Sequence, residues 1–393
     1  MFRGFASMLE GSSYVSPCKY MNFFRHKFQS SLMLFPGKIL SLLFAFLLAG
    51  FCLVGQSQSN TPVSRPDTTV RFFGVPLAFY TPDTRWGGGV AGILTFRGHP
   101  LRSSVSFSVA YTQRRQVLLW FPFQWYSPQG QWRAYGEIGW YRYLYQYFGI
   151  GNRYPFDYIE TYTAQYPRLR LTALRQTNLR YNWGIRYGLD DYQIVEKDPQ
   201  GEIASDKIPG ARGGFSSSIG PVWLFDTRDN PFFPGQGWLI EAAIFGEHRF
   251  TGSDFTYLRY TLDAARYVSF GKHNVLAMQA LAQFTNGQSP FFLLPQIGGS
   301  RLLRGYPAGK FRDQHLLILQ GEARFPLFWR LKSVIFAGTG TVFGSLGEQL
   351  RWRPNGGLGL RFEFDRKQHI HLRADYGFGD GISGFYLTMG EAL

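Results

Sequence analysis

The sequence predicts an all-β fold, a transmembrane antiparallel β-barrel, on three observations. Apolar and polar residues alternate with period two over many short segments from about residue 70 to the end. Phe, Tyr and Trp make up 18% of the chain and gather near the ends of those segments. Only one long apolar run exists, Ile39 to Val54, where a helical membrane protein would carry several of about 20 residues.

Alternation puts one apolar and one polar face on each segment, because successive side chains of a strand point to opposite sides. A soluble sandwich alternates too, but its apolar faces meet in a single core. Here the apolar face repeats over more segments than one such core could use. The aromatic ends match the interfacial girdles of a membrane barrel. In lipid only closure satisfies every strand edge.

The apolar run follows Lys38 and precedes Gly55-Gln56-Ser57-Gln58-Ser59, the pattern of a secretory signal. Residues 1–59 are therefore expected to be a signal peptide with an N-terminal extension, cleaved near Ser57 or Ser59, with Met21 or Met33 as alternative starts. A single membrane anchor is the competing reading, but a run of 16 is short for a span. Residues 60–69 form a short linker, too short for a domain, and residues 70–393 form the barrel. Cys18 and Cys52 both precede the expected cut, which excludes disulfide staples and cysteine-based metal or redox chemistry from the exported part.

The net charge is +15, and residues 1–59 hold five of the 41 basic and one of the 26 acidic residues. The exported part keeps a basic balance that suits anionic lipid headgroups or a basic lumen. Nucleic acid is not an expected partner of an exported chain.

Candidate strands begin near 70, 86, 103, 115, 131, 165, 178, 214, 237, 255, 273, 314, 331, 355, 369 and 384, which makes sixteen. Val105, Phe107, Val109 and Tyr111 alternate with serines and Ala110 in the third. Tyr181, Trp183, Ile185 and Tyr187 alternate with Arg180, Asn182, Gly184 and Arg186 in the seventh. In the fifteenth, Leu372, Ala374 and Tyr376 alternate with His371, Arg373 and Asp375. An even count puts both barrel ends on the periplasmic side. The connection after strand eight is then an inner turn, and that after strand eleven an outer loop.

Two connections are distinctive. The inner turn, 225–237, carries Asp226, Arg228, Asp229 and Asn230, then Pro231, Pro234 and Gly237. Asn-Pro and Pro-Gly are turn formers, and neither proline can donate to a ladder. The outer loop carries Gly298-Gly299-Ser300-Arg301-Leu302-Leu303-Arg304-Gly305-Tyr306. The Arg304-Gly305-Tyr306 signature and the Asp-x-Arg-Asp-Asn lead resemble those of the BamA/TamA outer-membrane barrels, the bacterial surface antigen family, over most of the exported chain. The resemblance implies that the loop folds back into the barrel and that Arg304 pairs with an acid on the inner wall. On strand twelve Leu316, Ile318, Gln320, Glu322 and Arg324 share the inward parity, so Glu322 matches the family's inward glutamate. A second family acid is expected where this chain has Gly338; Asp375, inward on strand fifteen, is a substitute. The last residues, Gly384–Leu393, resemble a last-strand insertion signal, although such signals usually end in an aromatic.

Family members that assemble or export proteins usually carry periplasmic recruiting domains before the barrel, for which residues 60–69 leave no room. The resemblance implies a role in inserting or translocating protein or lipid at the outer membrane, with outer-membrane lipid and client outer-membrane proteins as partners. A passive pore or structural barrel is the alternative, and a barrel lipid hydrolase a weaker one. Catalytic signals are sparse. Gly214-Phe215-Ser216-Ser217-Ser218 misses the last glycine of a nucleophile elbow. His99, His248, His273 and His315 have no partner readable from sequence. His369 and His371 share a strand face but lack a third ligand. No enzyme activity, metal, cofactor or soluble small-molecule substrate is expected. The inward Arg168, Arg170, Arg180, Arg186 and Arg373 either pair with inward acids or, unpaired, favour anions.

Overall fold

The computed structural model describes residues 70–81, 85–96, 103–128, 130–177, 180–230, 233–365 and 370–393. The expected signal segment 1–59 and expected linker 60–69, with His99, Pro231 and His369, lie outside the described residues.

Eighteen strands follow in order: β1 (Arg71–Thr81), β2 (Arg85–Phe96), β3 (Ser103–Thr112), β4 (Val117–Tyr126), β5 (Trp132–Tyr147), β6 (Glu160–Gln176), β7 (Tyr181–Lys197), β8 (Gly214–Asp226), β9 (Gly237–Glu247), β10 (Thr256–Phe270) and β11 (Asn274–Gln288). Two short strands, β12 (Gln296–Ile297) and β13 (Phe311–Arg312), precede β14 (His315–Phe328), β15 (Leu331–Phe343), β16 (Arg353–Asp365), β17 (Ile370–Gly379) and β18 (Ile382–Met389). All but β12 and β13 form one 16-stranded sheet with neighbours in chain order, and every pair in it is antiparallel, as successive hairpins require. β12 and β13 pair with each other inside the β11–β14 connection. Among the described residues, β1 and β18 are not paired with each other.

The faces follow the alternation. Tyr181, Trp183 and Ile185 are exposed on β7, and Leu319 and Ile335 on β14 and β15, whereas Glu322, Arg324, His371, Arg373 and Asp375 are buried. Nine of the ten tryptophans are exposed. A soluble protein would bury such rings, so the outer surface is one that meets lipid. Among the described residues no helix is long and apolar enough to cross a membrane.

The two ends differ. At the end where β8 stops and β9 starts, the longest connection is the turn 227–236; at the other, the β11–β14 connection runs from 289 to 314. Short turns on one rim and long loops on the other are characteristic of outer-membrane barrels. β5, β6 and β7 are 16, 17 and 17 residues long, more than the roughly 9–11 that a tilted strand needs to span. Their surplus builds a cap at the long-loop end. Tyr147, Tyr162, Tyr166 and Tyr192 pack there with Ile203, Ala211, Phe291 and Leu294. The cap is tied to the β11–β14 connection by Gly151 N donating to Arg312 O (2.7 Å), Lys310 Nζ to Phe156 O (2.6 Å) and Phe291 N to Pro209 O (2.9 Å).

Candidate functional site

The β11–β14 connection turns into the barrel rather than away from it. Leu303, Tyr306, Ile297 and Phe311 pack with Leu281, Leu316, Ile318 and Val342 of the wall, so apolar burial supplies the inward pull. Leu303 N donates to Gln320 Oε1 at 3.1 Å. That leaves Arg304 at the tip, 2% exposed, with its guanidinium 3.6 Å from the Phe336 ring centroid.

Arg304 meets two carboxylates. Its Nη2 lies 2.8 Å from Glu322 Oε2 on β14, and its Nη1 lies 2.6 Å from Asp375 Oδ2 on β17. Both acids are fully buried, and each is shared. Glu322 also takes Arg324 at 2.7 Å, and Asp375 also takes Arg361 of β16 and Arg373 at 3.5 Å. Arg361 and Arg373 are cross-strand partners in the β16–β17 register. Like charges directly opposite repel, and Asp375 between them is what makes that pairing tolerable. At Gly338 a side chain would have no room: a Cβ would lie 2.6 Å from Gln320 Cβ and 2.9 Å from Asn355 Oδ1. The second acid on Arg304 therefore comes from β17.

The next two residues seat the tip against the last two strands. Gly305 has φ +119° and presses on Phe378 of β17, whose backbone a Cβ would meet at 2.6 Å; only glycine fits both constraints. Its N–H donates to Tyr386 Oη of β18 at 3.0 Å, and Tyr386 Oη donates to Tyr306 O at 3.0 Å. Tyr306 Oη donates to Pro354 O at 2.7 Å. Burial, and after it the Asp380 carboxylate, push the Tyr306 hydroxyl upward in pKa, which keeps it a donor.

The inner turn is self-capped. Arg228 Nη2 pairs with Asp226 Oδ2 at 2.8 Å. Asp229 Oδ1 accepts from the backbone N–H groups of Asn230 and Gly235, both 2.9 Å, and of Gln236 at 3.2 Å. Asn230 Oδ1 accepts from Phe233 N at 3.0 Å. Gly237 has φ +112°, with Thr227 O where a Cβ would stand. Pro234 O accepts from Arg324 Nη1 at 3.3 Å, so Arg324 joins the inner turn to Glu322 and through it to Arg304. Sequence reading placed Arg324 on the inward face but gave it no role, and it missed Arg361 altogether. The available signal was their parity: a lumen-facing arginine flanked by acids on adjacent strands.

Three other inward arginines are paired: Arg168 with Asp190 at 2.8 Å, Arg170 with Asp190, and Arg186 with Glu241 at 2.8 Å. His371 Nε2 lies 3.0 Å from Lys332 Nζ and its Nδ1 3.4 Å from Glu391 Oε1. Among the described residues no group of His, Cys, Asp and Glu is arranged to hold a metal.

Residues 96–393 match the Omp85 superfamily domain. The chain belongs to the Omp85 superfamily. Its fold is similar to BamA from Haemophilus ducreyi lacking POTRA domains 1–3, at 14% identity and TM-score 0.53, covering 83% of this chain and 70% of that one. It is similar to CdiB from Acinetobacter baumannii (13% identity, TM-score 0.54, 82% of this chain and 60% of that one) and to CdiB from Escherichia coli (15%, 0.53, 83% and 62%). The chain thus spans about three-fifths of the length of the two CdiB chains. No curated protein matches it in sequence. In this Omp85 barrel the cluster around Arg304 ties the long loop to β14, β16, β17 and β18, the part of the wall that ends at the sheet's last strand.

Proposed function

We propose that this chain is an outer-membrane barrel that helps insert or translocate protein or lipid, and that the Arg304 cluster is a clamp positioning the long loop behind the last strand. One observation carries the reading: the buried loop tip is seated directly on β17 and β18, through Gly305, Phe378 and Tyr386, while the far edge of β18 has no partner strand among the described residues. An unpaired edge offers backbone groups to an incoming strand. β18 is only 8 residues long, below the roughly 9–11 needed to span a bilayer, and so short a strand favours local thinning of the lipid. The clamp fixes the shape of β17 and β18 from inside; lipid and a client strand approach from outside.

The test is reconstitution of the chain in liposomes, timing the folding of a separate small barrel against empty vesicles. Acceleration that disappears in Arg304→Ala supports the reading. No acceleration, together with steady ion leakage, would replace it with a passive pore.

A further inference from the structure

The last four residues do not continue the final strand. The β17–β18 ladder ends at Leu372 and Met389, Gly390 N donates to His371 O at 2.8 Å, and Gly390 then takes φ +84°. That left-handed residue turns Glu391, Ala392 and Leu393 into the lumen. Read from sequence, Gly384–Leu393 resembles a last-strand insertion signal; the strand itself ends at Met389, before the turn at Gly390.

What receives these residues is a site built by distant elements. Glu391 Oε2 lies 2.8 Å from Arg361 Nε, and its carboxylate is 3% exposed. Ala392 O accepts from Arg301 Nε at 3.4 Å, and Leu393 O from Arg324 Nη2 at 3.0 Å. The Leu393 side chain packs on Ala265, Tyr267 and Ala277 of β10 and β11. Phe233 of the inner turn closes one side, with Lys332 Nζ 3.8 Å from its ring centroid and the His371 ring at 4.5 Å.

We propose that the inner end of the lumen is a binding site for a short acidic peptide, filled here in cis by Glu391-Ala392-Leu393. Charge fixes the ligand class. With Glu391 withdrawn, the six cations Arg301, Arg304, Arg324, Lys332, Arg361 and Arg373 would face four acids, Asp263, Glu322, Glu363 and Asp375, so an incoming segment that supplies a carboxylate is favoured. Main-chain oxygens one and two residues later meet Arg301 and Arg324, and an aliphatic side chain fills the apolar floor. The tail does not use the whole site. Arg361 Nη2 and Arg373 Nη1 are buried without a hydrogen-bond partner among the described residues, and such groups are costly to leave unmet. A peptide that satisfies them displaces the tail. Arg324 serves both this site and Glu322, and Arg361 both Glu391 and Asp375, so occupancy reaches the Arg304 clamp through two side chains.

The experiment uses the full chain in nanodiscs and a fluorescein-labelled Gly-Glu-Ala-Leu peptide followed by anisotropy. The unaltered chain binds it weakly, because the site is occupied. Glu391→Ala combined with Leu393→Ala releases the tail and tightens binding by about tenfold or more, since the competent fraction rises. A peptide with Gln for Glu loses that gain. Leu393→Ala alone serves if the double variant does not give a folded barrel on heat-modifiability gels. Absent saturable binding to a folded tail variant, or equal binding of the Gln peptide, overturns the proposal. No client barrel is present, so failure here leaves the insertion reading standing, and failure of insertion leaves this site standing.

Discussion

At the scale of single residues, the arginine cluster has a fixed ordering of consequences. Glu322 is fully buried and meets Arg304, Arg324 and Arg361 at 2.8, 2.7 and 3.7 Å. Replacing it by Gln leaves the buried Arg324 without its carboxylate and takes one of several from Arg304 and Arg361, a loss of about 3–5 kcal/mol in comparable buried pairs. Glu322→Gln should therefore lower the urea midpoint of unfolding and expose the loop to limited proteolysis. Asp206→Asn, which touches only Lys197 and Arg212 on the surface, should leave both unchanged, because solvent screens exposed pairs. Gly305→Ala adds a contact with Phe378 backbone to an unfavourable φ, whereas Gly381→Ala, at φ +78°, meets nothing within 4 Å. Gly305→Ala should be the more damaging by thermal unfolding; equal losses would mean the Phe378 contact is relaxed at no cost. Parity in the sequence sufficed to put Glu322 and Asp375 on the lumen face. It could not show that Arg361 and Arg373 stand opposite one another, because that depends on the β16–β17 register.

At the scale of elements, strand starts were legible because alternation is enforced by lipid on one side and a polar lumen on the other. The sixteen expected segments correspond one for one to the sixteen strands of the sheet. The small β12–β13 pair was not legible: two residues per strand carry no period. Nor was the inward turn at Gly390, since one glycine near the end of an alternating run looks like any other. Leu319, exposed on β14 next to the inward Gln320, tests the facing. Leu319→Arg should cost about 2–4 kcal/mol if it lies near the bilayer midplane, measured by refolding into vesicles, while Thr261→Arg, a polar position already hydrogen-bonded to Gln283 at 3.5 Å, should cost less. At the cap, burial pushes the Asp313 carboxyl up in pKa, outweighing the hydrogen bond from Gln314 N, and Glu348 adds to the rise. The folded cap therefore holds this proton more tightly than the unfolded chain does. Its contribution favours folding at low pH and fades as pH rises from the ordinary carboxylate range through the raised value. Protease sensitivity of the cap should increase over that window, and Asp313→Asn should flatten the dependence.

At the scale of the whole molecule, the question is whether sixteen strands enclose an open channel. A barrel of this size can leave an aqueous path, and a basic lumen would then select anions. The side chains argue otherwise on the β14–β18 side. Arg304, Arg324, Arg361 and Arg373 are each 2% exposed or less, which large cations reach only when loop, inner turn and tail fill the space around them. The cap adds a second obstruction at the long-loop end through Gly151, Lys310 and Phe291. On the opposite wall Arg168, Arg170 and Arg186 are paired with Asp190 and Glu241, which leaves little free positive charge to select an ion. In planar bilayers the chain should sit mostly closed at low voltage, with no strong anion preference in its reversal potential. Arg304→Ala should raise the frequency of openings, because it frees the loop tip from Glu322 and Asp375 together. A steadily open, strongly anion-selective current from the unaltered chain would contradict this packing and favour the pore over the insertase.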